Sequence, residues 1–390
     1  MNKPTNRWFG ADIQLISAVL FIVEFVRGAA LASFMPIYGA QTLGLAPDII
    51  GIAISAHYIT DTILKIFIGY LLDRFSPRLI VWAGLAVSLV GVYWLPYANL
   101  PWMFIAAAAL YGIGMSPIWI VCLTKVSEEQ RAAQMGYLYT IWLLGLGSGP
   151  IVCNILLDFN PSFTAQLLLW LSVLACALSL FMRKEKLTDL KPMPLREQFI
   201  ILKDRLSQMK MLLPGMILQT AAASMLIPIL PTFASGELGL SGTQYSILLT
   251  AGGLFAVAGL IPMGRLSDKL GGKRWFLVGG FLSFALALSL LALKFNFWYY
   301  FGIAIVLGLS YSAVLPTWNA LLASYVPPQQ KGIGWGLLST FEGAGVMVGP
   351  VIGGVIALWN GEPAVFWTSA ALFALIGIFY AATLKQNGVS

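Results

Sequence analysis

The chain has 390 residues, of which 59% are hydrophobic and only 10% are charged, and its mean hydropathy is +0.83. A soluble domain usually carries about 25% charged residues, so this composition excludes a water-soluble protein and indicates one that lies in lipid. The net charge of +7 would suit a nucleic-acid-binding protein. However, the basic residues cluster between apolar runs, which is typical of a membrane protein.

Apolar stretches recur along the whole chain, and each is long enough to cross the hydrocarbon of a bilayer, which takes about 20 helical residues. We therefore predict an all-α membrane protein with twelve transmembrane helices. The short polar segment Met1–Trp8 and the charges in the first apolar run argue against a cleavable signal peptide. The predicted spans are residues 13–38, 48–72, 79–97, 101–123, 134–157, 163–182, 211–234, 244–266, 275–293, 297–324, 333–358 and 363–384.

The basic residues are distributed asymmetrically between these spans. With the N-terminus in the cytoplasm, all but three of the 23 Lys and Arg residues fall in cytoplasmic segments. The exceptions are Arg27 and Lys65, within spans, and Lys294, in an outside loop, with Arg265 at the cytoplasmic end of its span counted as cytoplasmic. Because cytoplasmic loops carry excess Lys and Arg, we predict a multi-pass protein with both termini in the cytoplasm. Contact with anionic membrane lipid accounts for the net charge, so no nucleic-acid partner is expected.

The three cysteines, Cys122, Cys153 and Cys176, lie in apolar runs and lack the spacing of metal ligands. They are predicted to be free buried thiols. Neither a metal nor another cofactor is expected. No nucleophile–base arrangement or nucleotide-binding loop stands out in the sequence, which argues against an enzyme.

The two halves of the chain repeat, because the same residue types recur at an offset that drifts from 195 to 200 residues. We predict an N-terminal six-helix bundle (1–182), a cytoplasmic linker (183–210) with an amphipathic helix at Leu195–Lys210, and a C-terminal six-helix bundle (211–390). A parallel repeat predicts a substrate cavity where the halves meet, near the bilayer midplane. The matched pairs include Pro36 and Pro231, Gly44 and Gly239, Asp73 and Asp268, Pro117 and Pro316, and Gly149 and Gly349.

The first span carries two opposite charges, Glu24 and Arg27, near its middle. A charge there costs about 2.5–3.5 kcal/mol, but at a spacing of three residues the two side chains share a helical face and partly neutralise each other. Charged residues inside a membrane usually mark a transport path, so we expect this pair to bind substrate and to couple transport to protons. The alternative is a structural ion pair that joins two helices.

The second span places His57, Asp61 and Lys65 on one helical face. Asp61 is the second carboxylate expected to couple protons and to bind substrate, because a buried carboxyl group near a cation can exchange protons near neutral pH. His57 is the one histidine of the chain, and it is either a further proton-coupling group or a hydrogen-bonded packing residue. Lys65 can instead extend its ammonium group to the cytoplasmic surface.

The corresponding positions of the second half are uncharged: Gln219, Ala222, Gly252 and Ala256 align at an offset of 195 with Glu24, Arg27, His57 and Asp61. The exception is Glu342, which aligns with Trp142. This asymmetry suits an amphiphile whose polar head contacts the first half. Its hydrocarbon is then expected near Leu226, Ile227 and Met347 in the second half.

Two tryptophans of the first half, Trp119 and Trp142, are candidates for substrate binding. An indole can cover the face of a sugar ring, so these side chains suit a carbohydrate headgroup. The alternative is that both rings simply pack between helices, as large aromatic residues in membrane spans often do.

The loop after the second span reads Gly69-Tyr-Leu-Leu-Asp73-Arg74-Phe-Ser-Pro-Arg78, and its repeat reads Gly264-Arg-Leu-Ser-Asp268-Lys269-Leu-Gly-Gly-Lys273. This pattern resembles the signature loop of the major facilitator superfamily, which implies two pseudo-symmetric six-helix bundles. Gly69 would let two helices approach closely, while Asp73, Arg74 and Asp268 would form a conformational latch of ionic contacts that break and re-form. The alternative is a solvated charge cluster.

The fifth and eleventh spans each carry a glycine-rich run that ends in proline. These runs resemble the glycine–proline motif of antiporters in the same superfamily. Small residues permit close helix packing and proline bends a helix, so the runs favour either a moving gate or plain packing. They read Gly145-Leu-Gly-Ser-Gly149-Pro150 and Gly343-Ala-Gly-Val-Met-Val-Gly349-Pro350.

Five further segments are similar to the glycolipid-anchor flippases of lipoteichoic acid synthesis in Gram-positive bacteria. The resemblance extends over nearly the whole chain. It implies a proton-coupled carrier in the bacterial cell membrane that moves a diglucosyl-diacylglycerol anchor to the outer leaflet. It also implies a headgroup pocket at Glu24, Arg27, Asp61, Trp119 and Trp142. The segments are Glu24-Phe-Val-Arg27-Gly28, Ser116-Pro-Ile-Trp119, Glu128-Glu-Gln-Arg131-Ala-Ala-Gln-Met-Gly-Tyr137, Trp142-Leu-Leu-Gly-Leu and Pro228-Ile-Leu-Pro231-Thr.

This chain departs from those flippases at four positions. Asp73 and Arg74 stand where the flippases have lysines, and Lys65 and Glu342 stand where they have neutral residues.

The sequence therefore predicts a proton-coupled carrier of amphiphiles, with glycolipid flipping as the first interpretation and drug–proton antiport as the second. A membrane scaffold or receptor would leave the charges in the first two spans unexplained.

Overall fold

The computed structural model describes residues 11–72, 75–124, 131–183, 212–270, 273–323 and 331–383. Within these ranges all regular structure is helical, which confirms the predicted all-α class. The chain divides into two compact units, Met1–Pro192 and Met193–Ser390. The predicted linker at 183–210 and its amphipathic helix lie almost entirely outside the described residues, so the three predicted domain boundaries remain predictions.

The N-terminal unit begins with a span built of three consecutive helical pieces. Its helices are α1 (Ala11–Ala29), a π-helix (Ala30–Phe34), α2 (Met35–Gln41), α3 (Pro47–Leu72), α4 (Pro77–Trp94), α5 (Pro101–Ile113), α6 (Met115–Thr124), α7 (Arg131–Phe159) and α8 (Pro161–Ser179). A short 3-10 turn, Leu95–Tyr97, follows α4. Side chains cap two helix starts: Ser76 accepts a hydrogen bond from the amide of Leu79, and Asn160 accepts one from Phe163.

The C-terminal unit begins with a span that is interrupted rather than continuous. Its helices are α9 (Leu213–Ser224), α10 (Leu230–Gly236), α11 (Gly242–Leu270), α12 (Lys273–Leu291), α13 (Phe297–Ala323), α14 (Lys331–Asn360) and α15 (Glu362–Thr383). Its core is apolar and aromatic, with Phe233, Phe281 and Phe366 almost fully buried.

Helix packing repeats from one unit to the other. In the N-terminal unit α1 packs against α7, α3 against α5 and α4 against α8. In the C-terminal unit α9 packs against α14, α11 against α13 and α12 against α15. These are the same three pairs of spans within each half, so each half folds by the same plan, as the sequence repeat predicts.

The turn after the first span also repeats in detail. Gly44 has φ +66° and Gly239 has φ +64°, and these two residues are a predicted repeat pair. The next residue in each case, Leu45 or Leu240, donates its amide to a carbonyl six residues back, at 2.9 Å. This is the arrangement that ends a helix through a left-handed glycine. A side chain at either glycine would therefore strain the turn.

The glycine–proline runs form the surfaces on which the first span of each unit packs. A Cβ added at Gly145 would lie 2.7 Å from the carbonyl oxygen of Phe21, and one at Gly149 would lie 2.7 Å from the amide nitrogen of Ala29. Contacts this short leave no room for a side chain, so the predicted close packing is confirmed. In the C-terminal unit Gly345 and Gly349 pack on α9 in the same way.

These contacts correct the alignment of the two halves. Gly145 faces Phe21, whereas Gly345 faces Ile217, so the first spans align at an offset of 196 rather than 195. Glu24 therefore corresponds to Thr220 and Arg27 to Ala223, so the predicted matches with Gln219 and Ala222 are wrong. The offset returns to 195 at Gly44 because the π-helix Ala30–Phe34 takes up one extra residue in the first half.

Ten helical stretches are long and apolar enough to cross a membrane among the described residues. They agree with ten of the twelve predicted spans. Of the other two, the second span corresponds to the 26-residue helix α3. The seventh is broken, because turn residues separate Ser224 from Leu230. The count of twelve spans therefore remains a prediction.

The cysteines are free, as predicted. Cys122 and Cys153 are buried in the N-terminal unit, whereas Cys176 is only half-buried on α8. The expectation that all three are buried is therefore wrong for Cys176.

Candidate functional site

The ion pair predicted in the first span is present. The Arg27 guanidinium lies 2.5 Å from the Glu24 carboxylate, as the spacing of three residues in α1 allows. Glu24 is only 1% exposed, and the side chain of Arg27 is 13% exposed. The two charges are therefore held together inside the N-terminal unit, where low polarity strengthens their attraction.

Asp61 on α3 belongs to the same charged site. It is 3% exposed, and its charge lies near enough to act on Arg27 together with that of Glu24. Two phenol groups, Tyr58 and Tyr111, also lie within electrostatic reach of the guanidinium. The fold thus brings two carboxylates from different helices to one arginine, as the sequence predicts.

His57 is enclosed by aromatic rings rather than by water. Its imidazole is fully buried, with ring centroids 4.8 Å from Tyr111 and 5.5 Å from Tyr58. This environment favours a packing role, although His57 remains next to the charged site. Sequence reasoning missed Tyr58 and Tyr111, because a tyrosine in an apolar run has no pattern that separates a site residue from a core residue.

The fold brings Trp119 and Trp142 together from different helices. Their ring centroids lie 6.3 Å apart with an interplanar angle of 48°, and both side chains are half-buried. The pair is close to the charged site, since Cys122, one turn after Trp119, lies within electrostatic reach of Glu24. Partly exposed indoles beside carboxylates are suited to a ligand that has both ring faces and hydroxyl groups.

The equivalent positions of the C-terminal unit hold a different pair, Trp318 and Glu342. The indole nitrogen of Trp318 donates a hydrogen bond of 3.1 Å to the Glu342 carboxylate. The hydroxyl group of Thr220, the counterpart of Glu24, donates to the main-chain carbonyl of Glu342 at 2.8 Å. Glu342 was singled out in the sequence as an exception, and the structure shows it anchored at two points.

An apolar cavity of about 300 Å³ lies within the C-terminal unit, between α10, α11, α12 and α13. Its wall includes Gly252 and Ala256, the counterparts of His57 and Asp61. The positions that carry polar groups in one half therefore line an apolar space in the other. The predicted hydrocarbon contacts Leu226, Ile227 and Met347 do not line this cavity.

Only part of the predicted conformational latch lies among the residues that the structure describes. Asp73 and Arg74 lie outside the described residues, as do the side chain of Asp268 and the surroundings of Gly69. Gly69 itself lies near the end of α3. At its counterpart Gly264, an added Cβ would make ordinary contact with Pro316, at 3.5 Å. Close packing at Gly264 therefore does not by itself require glycine.

Comparison with known proteins identifies the family. The family model described as Major Facilitator Superfamily matches residues 18–206 and 212–388. The chain belongs to the major facilitator superfamily. This membership confirms the resemblance seen in the signature loop, and with the ten apolar helices it makes the chain a multi-pass membrane protein of a transporter superfamily.

Relatives in the superfamily that match nearly the whole chain include staphylococcal proteins named proton-coupled antiporter flippase LtaA. The one from Staphylococcus saprophyticus is 34% identical over 93% of this chain and 92% of its own length. The one from Staphylococcus haemolyticus is 33% identical over 96% and 95%. The one from Staphylococcus aureus is 31% identical, also over 96% and 95%.

Solved structures of the superfamily confirm the fold. Two crystal structures of the nucleoside transporter NupG, one of them of a point mutant, each cover 95% of this chain. Their TM-scores are 0.78 and 0.79, at 14% and 13% sequence identity, and 99% and 98% of those chains are matched. At such low identity the likeness concerns the fold alone.

Proposed function

We propose that this protein is a proton-coupled antiporter that flips a glycolipid anchor, of the diglucosyl-diacylglycerol type, to the outer leaflet of a bacterial cell membrane for lipoteichoic acid assembly. The observation that carries the proposal is the contrast between equivalent positions of the two units. His57 and Asp61 lie in a charged, aromatic site, whereas Gly252 and Ala256 line an apolar cavity. The naming of the staphylococcal relatives as flippases supports the same conclusion.

The headgroup is proposed to bind in the N-terminal unit. Carboxylates accept hydrogen bonds from sugar hydroxyls, and the Arg27 guanidinium donates to them. The half-buried rings of Trp119 and Trp142 offer apolar faces to the sugar rings. A disaccharide presents both surfaces at once, and a simple lipophilic cation does not.

The hydrocarbon is proposed to bind in the C-terminal unit. The cavity is lined mostly by apolar side chains, among them Leu248, Phe284 and Leu307. An acyl chain that enters it leaves water without leaving any polar group unsatisfied. The cavity volume of about 300 Å³ is in the range of protein ligand sites.

Proton coupling is proposed to depend on the charge balance around Arg27. Glu24 and Asp61 together carry two negative charges against one positive charge, and burial disfavours the uncompensated charge. One proton bound to either carboxylate neutralises the site. When the site opens to water, the proton can leave, which couples its movement to the alternation of the carrier. His57 can assist because it lies beside these groups.

The remaining assignments follow from this role. We propose that the protein is a transporter rather than an enzyme, and that both termini face the cytoplasm because of the distribution of basic residues. The cytoplasmic latch is proposed to consist of Asp73, Arg74 and Asp268, together with Gly69. Protons, glycolipid and membrane lipid are the proposed partners, without nucleic acid.

Drug–proton antiport is the second candidate, and Glu342 is the observation that favours it. A carboxylate inside a predicted membrane span could attract a lipophilic cation. The two candidate functions can be distinguished with reconstituted protein. Labelled glycolipid and a cationic dye are supplied to it in parallel. Glycolipid movement driven by a pH gradient supports the flippase. Saturable dye efflux without glycolipid movement shows the drug antiporter.

A further inference from the structure

Glu342 is a carboxylate held in one position inside a predicted membrane span, Phe341–Asn360. Its main-chain carbonyl accepts a hydrogen bond from the hydroxyl group of Thr220, at 2.8 Å. Its side chain accepts one from the indole nitrogen of Trp318, at 3.1 Å. The carboxyl group is thus held from α13, and the main chain of Glu342 packs against Thr220 on α9.

The donor to Glu342 is itself rigid. Trp318 is 2% exposed, and its ring packs against Phe281 and Tyr380, with centroids 6.5 Å and 5.7 Å apart. An indole N–H can only donate a hydrogen bond. The C=O oxygen of a protonated carboxyl group is its better acceptor, so we expect that oxygen to accept the bond from Trp318 and the proton to lie on the other oxygen.

No basic side chain neutralises Glu342 among the residues that the structure describes. The titratable groups around it are phenols: Tyr311 on α13 lies within electrostatic reach, and Tyr380 on α15 packs against Trp318. An ionised carboxylate inside a membrane without a cation is strongly disfavoured. The neutral, protonated form of Glu342 is therefore favoured whenever its surroundings are closed to water.

The position of Glu342 in the repeat supports a role in the transport cycle. Trp318 and Glu342 are the counterparts of Trp119 and Trp142, which form the aromatic pair next to the charged site of the N-terminal unit. Tyr311, which lies within electrostatic reach of Glu342, also lines the apolar cavity. The carboxylate is thus linked to the proposed hydrocarbon site through Tyr311.

We propose that Glu342 is a second proton-binding carboxylate, which takes up and releases a proton in each cycle in addition to the site formed by Glu24 and Asp61. This proposal rests on the proposed proton-coupled function. It assigns Trp318 as the positioning residue, because its hydrogen bond holds the carboxyl group in one orientation in both protonation states. Two sites, one in each unit, would move two protons per lipid.

Infrared difference spectroscopy of the purified full-length protein, between low and high pH, tests proton binding without any substrate. We expect a carboxylic acid C=O band that is absent from Glu342→Gln and remains in Glu24→Gln. Trp318→Phe should shift the frequency of this band, because the C=O group loses its hydrogen bond. Glu362→Gln is the matched control, since Glu362 also accepts a side-chain hydrogen bond, from Thr232, and should leave the band in place.

Unchanged bands in both Glu342→Gln and Trp318→Phe overturn the proposal. A second measurement tests whether the proton takes part in transport. In proteoliposomes with an internal pH indicator, Glu342→Gln should lower the protons moved per lipid by about one relative to wild type. An unchanged ratio rejects the role in transport. If wild type moves lipid without any protons, the proposed coupled function fails instead, so the two failures are distinguishable.

Discussion

Gly145 on α7 lies directly against Glu24 on α1, so that a Cβ added at Gly145 would be 2.9 Å from the Cβ of Glu24. The same glycine faces the carbonyl oxygen of Phe21. The glycine–proline run therefore sets the distance between the two helices at the carboxylate itself. This makes the motif part of the framework of the charged site, whether or not it also moves as a gate.

The first prediction compares two glycines of this run. Gly145→Ala should destabilise the protein by about 1–3 kcal/mol, because the added methyl group overpacks the interface between α1 and α7. Gly147→Ala is the control, since an added Cβ at Gly147 meets nothing within 4 Å. It should be neutral or stabilise by about 0.5–1 kcal/mol through helix propensity. Thermal unfolding in detergent measures both, and equal effects would contradict the packing argument.

The second prediction concerns Glu24. Glu24→Gln should abolish transport driven by a pH gradient and leave expression intact, because the amide keeps the shape of the side chain but cannot exchange a proton. Transport into proteoliposomes under an imposed gradient is the measurement. Glu237→Gln is a matched control, since Glu237 forms an exposed ion pair with Lys294 at 3.5 Å. A full response of Glu24→Gln to the gradient would place the main proton site elsewhere.

The third prediction tests the headgroup site with the free disaccharide. Trp119→Ala should weaken its binding by about 1–2 kcal/mol, through loss of a burial and stacking contact. Trp170→Ala, a 66% exposed tryptophan on α8, should leave the affinity unchanged. Calorimetry measures the affinity of the wild type and of both variants for the free disaccharide. Absence of heat with the wild-type protein would argue against a carbohydrate headgroup.

The fourth prediction tests the apolar cavity separately from the headgroup site. Gly253→Phe should fill the cavity and impair movement of the intact lipid, while binding of the free disaccharide is spared. Gly253 lines the cavity, and an added Cβ there meets nothing within 4 Å. Gly279→Phe is the control, because Gly279 on α12 is equally open but does not line the cavity. Unimpaired lipid movement by Gly253→Phe would show that the hydrocarbon binds elsewhere.

The fifth prediction concerns orientation. Cysteines introduced in the 183–210 loop should be shielded from impermeant thiol reagents in intact cells, and cysteines beside Lys294 should react. The half-buried native Cys176 is replaced by serine beforehand, whereas Cys122 and Cys153 are buried. The opposite labelling pattern would reverse the predicted topology.

The sequence alone determined the class of this protein and the outline of its site. Twelve apolar runs, the distribution of Lys and Arg, and repeated motifs are local or statistical features, so they are readable without coordinates. The pairing of Glu24 with Arg27 was also predictable, because helix geometry places residues three apart on one face.

Contacts between helices required the tertiary structure, because they depend on which faces pack together. The packing of His57 against Tyr111, the meeting of Trp119 with Trp142, and the bond from Trp318 to Glu342 each join side chains from different helices. The true counterpart of Glu24 was hidden for a similar reason. A π-helix shifts the register by one residue without leaving a mark in the hydrophobic pattern, so only the packing of Gly145 and Gly345 decided the alignment.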